Sequence, residues 1–257
     1  ELRSLIPNHT FLQYTATPQA PLFINILDRL SPNFIRLLTP GARYTGSREF
    51  FIHNTNLLFR IPPEEISTSD NPITEPPESL LTALRYFYLG VASGQIINDQ
   101  RNRSMLVHPS RLTIDHAVFR NWIENIKNSW ANLLSSDSPQ DEEEKNQLLS
   151  AFEMTYRDLQ LTTNNIPSFH QLIDNNHLLN EIKYTRIMEV NASGGSTPEI
   201  PWRDEYAFIL VGGQAMDRGF TVEGLTVTYM PRNIGVGNVD TIQQRARFLG
   251  YKRDYLG

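Results

Sequence analysis

The sequence predicts an α/β fold: a parallel sheet drawn from two separated zones, with a helical stretch inserted between them. Three observations point there. EYAFILV (residues 205–211) is apolar on consecutive positions, the pattern of a strand buried on both faces in a helix-covered parallel sheet. TRIMEV (185–190) and LTVTYM (225–230) are further β-rich runs of strand length. Across residues 77–156 the apolar positions instead recur every three to four residues, the period of a helix.

The elements follow in chain order. Residues 1–60 mix FLQYTA, FIRLLT and NLLFRI with proline and glycine, which predicts short strands and turns. IPPEEISTSDNPITEPP (61–77) has five prolines and few large apolar residues, the composition of an exposed linker. A helix over 77–97 would bury Leu80, Leu81, Leu84, Phe87, Tyr88 and Val91. A second, over 110–134, would bury Ile114, Val118, Trp122, Ile126 and Trp130. A third follows SPQDEEE, with Ser138 as cap, Pro139 in the first turn, acidic residues at the positive dipole end and Leu148, Leu149, Phe152 and Tyr156 inward. A shorter helix starts at Ser168.

Composition limits the function classes. At 257 residues, 40% hydrophobic and 20% charged, the chain can bury a substantial core as one large domain or two small ones. A net charge of −5 argues against a protein coated in basic residues to grip nucleic acid. Residues 241–257 nonetheless set Arg245, Arg247, Lys252 and Arg253 against Asp254 alone, so this end is locally positive. The absence of cysteine excludes disulfides, thiolate chemistry and cysteine-ligated zinc. No apolar run approaches the roughly 18 residues of a membrane span, and the opening lacks a signal pattern, so a cytoplasmic protein is expected. A start at Glu1 running into FLQYTATP predicts a piece cut from a longer chain.

Three segments carry candidate chemistry. VGGQAMDRGFTVEGL (211–225) follows the buried strand, so its glycines fall at the carboxyl edge where open α/β sheets bind ligands. Gly212 and Gly213 let the backbone approach a phosphate, and Arg218 can donate a forked pair of hydrogen bonds to one. The alternative is a tight turn with a surface arginine. In QQRARFLGYKR (243–253), a helix would bring Gln243, Gln244 and Arg247 together, and Arg247 would reach a γ-phosphate. The alternative is a solvated basic helix end. YTATP (14–18) offers Thr15 and Thr17 at a strand end. No GxxxxGK[ST] occurs in the chain. DEEE (141–144) does not follow an apolar strand and so is not a magnesium box, and His170 and His177 read as helix-surface residues. Asp174, Glu181 and Lys183 form a loose nuclease-like set for a metal-dependent phosphodiesterase.

YTATP (14–18), GGQAMDRGFTVEGLTVTYM (212–230) and DTIQQRARFLGYKRDY (240–255) together resemble motifs III, V and VI of superfamily 2 helicases. More narrowly they resemble the Z1 (Z-one) domain, provisionally described as an endonuclease domain and found with such helicase cores in bacterial restriction and DNA-repair proteins. PGARYTGSREFF (40–51) and SMLVHPSR (104–111) extend the resemblance over nearly the whole chain.

The resemblance implies a RecA-like second lobe (21–60 and 184–257), preceded by the end of the first lobe (1–20) and interrupted by a helical insertion (75–183). It implies that Thr15, Ala16 and Thr17 couple hydrolysis to movement, and that Gly212, Gly213, Arg218, Gly219 and Thr221 contact nucleotide and nucleic-acid backbone. Arg247 would be the arginine finger, beside Gln244 or Gln243. The chain departs from the pattern at three positions: Gly213 stands for a nucleic-acid-contacting Thr, Thr221 for a ribose-binding Asp, and Gly250 for the second arginine, leaving Lys252 or Arg253 to substitute. ATP and Mg²⁺ would be held jointly with the first lobe, which carries the P-loop and Mg²⁺ ligands, so this piece alone is not expected to hydrolyse ATP. DNA is the expected further partner; a nuclease domain and a non-catalytic DNA- or partner-binding module are the alternatives.

Overall fold

The protein is described from a computed structural model, which covers residues 10–14, 31–110, 112–163, 165–191, 198–213, 222–231 and 249–251. The chain divides into two units, Glu1–Ala42 and Arg43–Gly257. The described residues of the first form no helix or strand, and Phe11, Phe34, Leu37 and Leu38 are exposed. The strand expected at FIRLLT is therefore not formed, and the described part of FLQYTA is not one either. A strand needs a neighbour to satisfy its backbone groups, and these segments have no ladder partner among the described residues.

The second unit begins with a π-helical turn, Glu49–His53, and two 3₁₀ turns, Thr55–Leu57 and Pro63–Glu65. NLLFRI is thus a turn and an irregular stretch, again not a strand. The proline-rich segment is tied down at its start, where Ile61 packs on the core, and at Glu65, whose carboxylate accepts the Ser79 N–H at 2.8 Å, capping the first helix and placing negative charge at its positive end.

Helix α1 spans Glu78–Ile96, and its buried stripe of Leu80, Leu84, Phe87, Tyr88 and Val91 is the one the periodicity gives. Strand β1 follows at Arg103–Val107. Helix α2 covers Thr113–Ser135. It buries His116, Phe119, Ile123, Ile126 and Trp130, while Ile114 is 70% exposed and Val118 is also exposed. Two overlapping apolar stripes run along this helix, and packing selects the one containing Phe119 and Ile123.

Helix α3 is Glu142–Leu159, with Glu142, Glu143 and Glu144 in its first turn as expected. Ser138 is not its cap. Ser138 Oγ accepts the Gln140 N–H at 3.3 Å and Ser136 Oγ accepts the Ser138 N–H at 3.1 Å, so these serines hold a turn and the helix starts later. Helix α4, Phe169–Ile173, does start at Ser168. Ser168 Oγ accepts from Gln171 N at 3.3 Å while Gln171 Oε1 accepts from Ser168 N at 2.9 Å, a complete capping box. Ser168→Ala is expected to cost about 1 kcal/mol of unfolding free energy, read from urea denaturation. Asn175 and Asn176, both at positive φ, turn the chain into α5, His177–Tyr184.

Strands β2 (Arg186–Val190), β3 (Ala207–Gly212) and β4 (Leu225–Tyr229) fall where the sequence places them. The sheet is all parallel in the order β2-β3-β1-β4. β3 is buried along its whole length, as its unbroken apolar run requires. The sheet draws its central β1 from the stretch read as helical; among the described residues the first zone supplies no strand.

Alternation divides the core. Met105, Val107, Ile209 and Val211 pack with α1 to α5, against Leu84, Phe87, Ile123, Phe152 and Ile182. Leu106, Phe208 and Leu210 face the other way, with Val190, Ile200, Val222 and Leu225; the Trp202 ring lies 5.1 Å from Phe208, edge on. A register shift between Ser104 and Met105 lets Leu225 join the second cluster while Val227 joins the first. Gly224 makes the turn before β4 possible: its φ is 60°, and a Cβ there would lie 1.6 Å from the Asn102 carbonyl oxygen.

Candidate functional site

The connections fix which edge of the sheet can hold a ligand. From β1 the chain leaves through α2 to α5 to reach β2, passing β3; from β3 it crosses in the opposite direction to β4, beyond β1. β1 and β3 are adjacent, so their carboxyl ends flank a topological switch point, the place where open α/β sheets form a ligand crevice. Val107, His108, Pro109 and Ser110 end one strand, and Gly212 and Gly213 end the other.

Both glycines are buried there, Gly212 paired with Val190 of β2. The space that a side chain at Gly213 would need is occupied: a Cβ would meet His116 Cε1 at 2.7 Å, His116 Nε2 at 2.8 Å and the Ser110 carbonyl oxygen at 3.2 Å. Gly213 therefore answers a packing demand at the strand end, where an imidazole takes the position of its missing side chain.

His116 is 2% exposed and is held at both ring nitrogens. Asn191, just past β2, gives its Nδ2 hydrogens to the Glu189 carboxylate, which turns its Oδ1 towards the imidazole. Nδ1 of His116 lies 2.6 Å from Asn191 Oδ1, and Nε2 lies 3.1 Å from the Ser110 carbonyl oxygen. Ser110 Oγ in turn accepts the Leu112 N–H at 2.8 Å, just before α2. One buried ring thus ties the carboxyl ends of β1, β2 and β3 to the first turn of α2. On the far side His108 N–H donates to the Tyr229 carbonyl at 2.9 Å, and the Tyr229 hydroxyl meets Ser79 Oγ at 2.8 Å. Burial pushes that phenol up to about 12, so it stays neutral at ordinary pH.

Gly212 and Gly213 are accordingly at the edge the sequence assigned them. Thr15, Ala16, Thr17, Arg218, Gly219, Thr221, Gln243, Gln244, Arg247, Lys252 and Arg253 lie outside the described residues. Gly250 lies within them. It forms an antiparallel bridge with buried Thr45, N–H to carbonyl at 2.7 and 3.0 Å, and the Tyr44 and Tyr251 rings meet edge on at 5.6 Å. Thr45 and Gly250, far apart in sequence, are therefore paired. The φ of 143° at Gly250 is a conformation suited to glycine.

The nuclease-like set is not brought together as a metal site. The Asp174 carboxylate lies 2.6 Å from exposed His170. Glu181 and Lys183 are two residues apart on α5, on opposite sides of the helix. Among the described residues no three His, Asp or Glu side chains are placed to hold a metal ion. Glu181 is perturbed for another reason: burial raises its carboxyl to about 7 against a hydrogen bond from Gln95 that opposes the shift. The folded chain thus holds this proton more tightly than the unfolded chain, whose carboxyl titrates near 4.5. Stability from this group is present below that value and is lost as pH rises through about 7. Glu181→Gln should match the parent in urea resistance near pH 4.5 and surpass it progressively to a plateau above pH 7.

His116, Asn191, Glu189 and Ser110 were not singled out by sequence. The available signal is weak: a histidine on the same helical face as Phe119 and Ile123, a polar residue in a core stripe. No described helix is long and apolar enough to cross a membrane. Comparison with curated proteins and with solved structures gives no match. The family model for the Z1 domain matches residues 79–257, from the first turn of α1 to the last residue and over two thirds of the chain; Thr45 lies outside the matched residues. On that extent, the chain belongs to the Z1 domain family.

Proposed function

We propose that this chain supplies the arginine-finger side of an inter-lobe ATP site in a nucleic-acid-dependent ATPase of the helicase type, through a RecA-like second lobe. The observation that carries this reading is the Gly212–Gly213 pair at the switch point of an all-parallel sheet, in a Z1-family chain whose next residues lead to Arg218. A strand end of this kind presents backbone N–H groups to anionic ligands, and an arginine close behind it in sequence suits phosphate.

ATP with Mg²⁺ would bring the transferable phosphoryl group and its charge-neutralising metal, with the metal ligands and P-loop on the companion lobe. This chain's part is electrostatic and positional. Arg247 neutralises charge that develops on the phosphoryl oxygens, Gln244 orients beside it, and Gly212, Gly213, Arg218, Gly219 and Thr221 form the strand-end contact with nucleotide and DNA backbone. Thr15 and Thr17 link that event to lobe movement. The test is DNA-stimulated ATP hydrolysis by the full-length protein carrying Arg247→Ala; turnover near the parent value overturns the reading.

A further inference from the structure

We propose that His116 is a positioning residue for this site: its ring, locked between Asn191 and the Ser110 carbonyl, sets where the backbone leaves β3 at Gly213 on the way to Arg218. The inference rests on the function proposed above only for its consequence in turnover. Its structural part stands on three observations.

First, the ring fills the space that a side chain at the strand end would need. A Cβ at position 213 would come within 2.8 Å of two of its atoms, so the glycine and the imidazole occupy one space between them. Second, the ring is confined on both sides. Its nitrogens face two oxygen acceptors, Asn191 Oδ1 at 2.6 Å and the Ser110 carbonyl at 3.1 Å; a neutral imidazole donates its single N–H to one of them, and the ring is 2% exposed, so displacing it would leave a buried polar group away from water. Third, the acceptor is itself held: Asn191 is pinned by Glu189, two residues earlier at the end of β2. The chain Glu189, Asn191, His116, Ser110 therefore runs from β2, past the end of β3, to the end of β1. Such a chain of contacts can position the strand-end backbone, and a misplacement of about 1 Å in a catalytic constellation can cost roughly 10²-fold in rate.

The test has three readouts on the 257-residue chain and the full-length protein. In a four-member cycle of parent, Gly213→Ala, His116→Ala and the double variant, the alanine at 213 collides with the imidazole only when the imidazole is present. Its cost to the folding equilibrium should be at least about fivefold smaller in the His116→Ala background. Equal costs in both backgrounds would overturn the proposal. Amide hydrogen exchange in His116→Ala should accelerate roughly tenfold or more at Gly212 and Gly213 with α3 unchanged; uniform acceleration would show a merely structural histidine and overturn the proposal. If His116→Ala does not fold, His116→Gln, which keeps a polar side chain but removes the ring, must show the same localised exchange. In the full-length protein His116→Ala should lower DNA-stimulated turnover by roughly 10²-fold. A parent protein without ATPase activity would defeat the functional reading alone, leaving the cycle and the exchange pattern to decide the role of His116.

Discussion

Arg247→Ala in the full-length protein is expected to lower DNA-stimulated ATP turnover by about 10³- to 10⁵-fold, equivalent to about 4–7 kcal/mol of transition-state stabilisation. The loss should fall on kcat. A finger neutralises charge that appears only as the phosphoryl group transfers, so ATP binding should persist while hydrolysis stops. Arg247→Lys should recover little, because the ammonium lacks the planar fork that spans two phosphoryl oxygens. Equilibrium binding of a labelled ATP analogue beside steady-state hydrolysis separates the cases. A variant that loses both binding and turnover equally would place Arg247 in ground-state contact instead of at the transferring group.

Phe208→Ala should cost about 3–5 kcal/mol of unfolding free energy, a large share of the 5–15 kcal/mol that typically holds a domain together. Phe208 is fully buried on β3, whose neighbours β1 and β2 both hydrogen-bond to it, so the void opens at the centre of the sheet. The Trp202 ring packs edge on against it and loses that contact as well. The backbone of a central strand, held on both sides, has little room to collapse into the cavity, which places the cost in the upper part of the range for such truncations. Urea unfolding followed by Trp fluorescence reads the change, and Trp202 reports on the cavity directly. A cost below about 1 kcal/mol would mean that Phe208 is not packed as described.

Helices α1 and α3 and strands β2, β3 and β4 could be read from sequence because their apolar patterns are long or unambiguous. β3 shows this best: consecutive apolar residues over 207–211 are compatible with burial on both faces, and that is how the strand lies. β1 was hidden for the opposite reason. Its five residues lie between two long helical periods, and a short apolar run has no period of its own. In α2 the pattern established a helix but not its rotation, since Ile114 and Val118 compete with Phe119 and Ile123 for the core, and only contact with the sheet chooses.

The site divides in the same way. The sequence by itself determined that a glycine pair follows a buried strand and that arginines stand downstream, because those are local facts about residue order. Only the tertiary structure decided that this strand end lies at a switch point, that the Gly213 side-chain space belongs to His116, and that Asn191 and Ser110 hold the ring from two other strands. The physical reason is distance along the chain. His116 and Asn191 are 75 residues apart, and a hydrogen bond that joins them exists only once the sheet has set β1, β3 and β2 side by side.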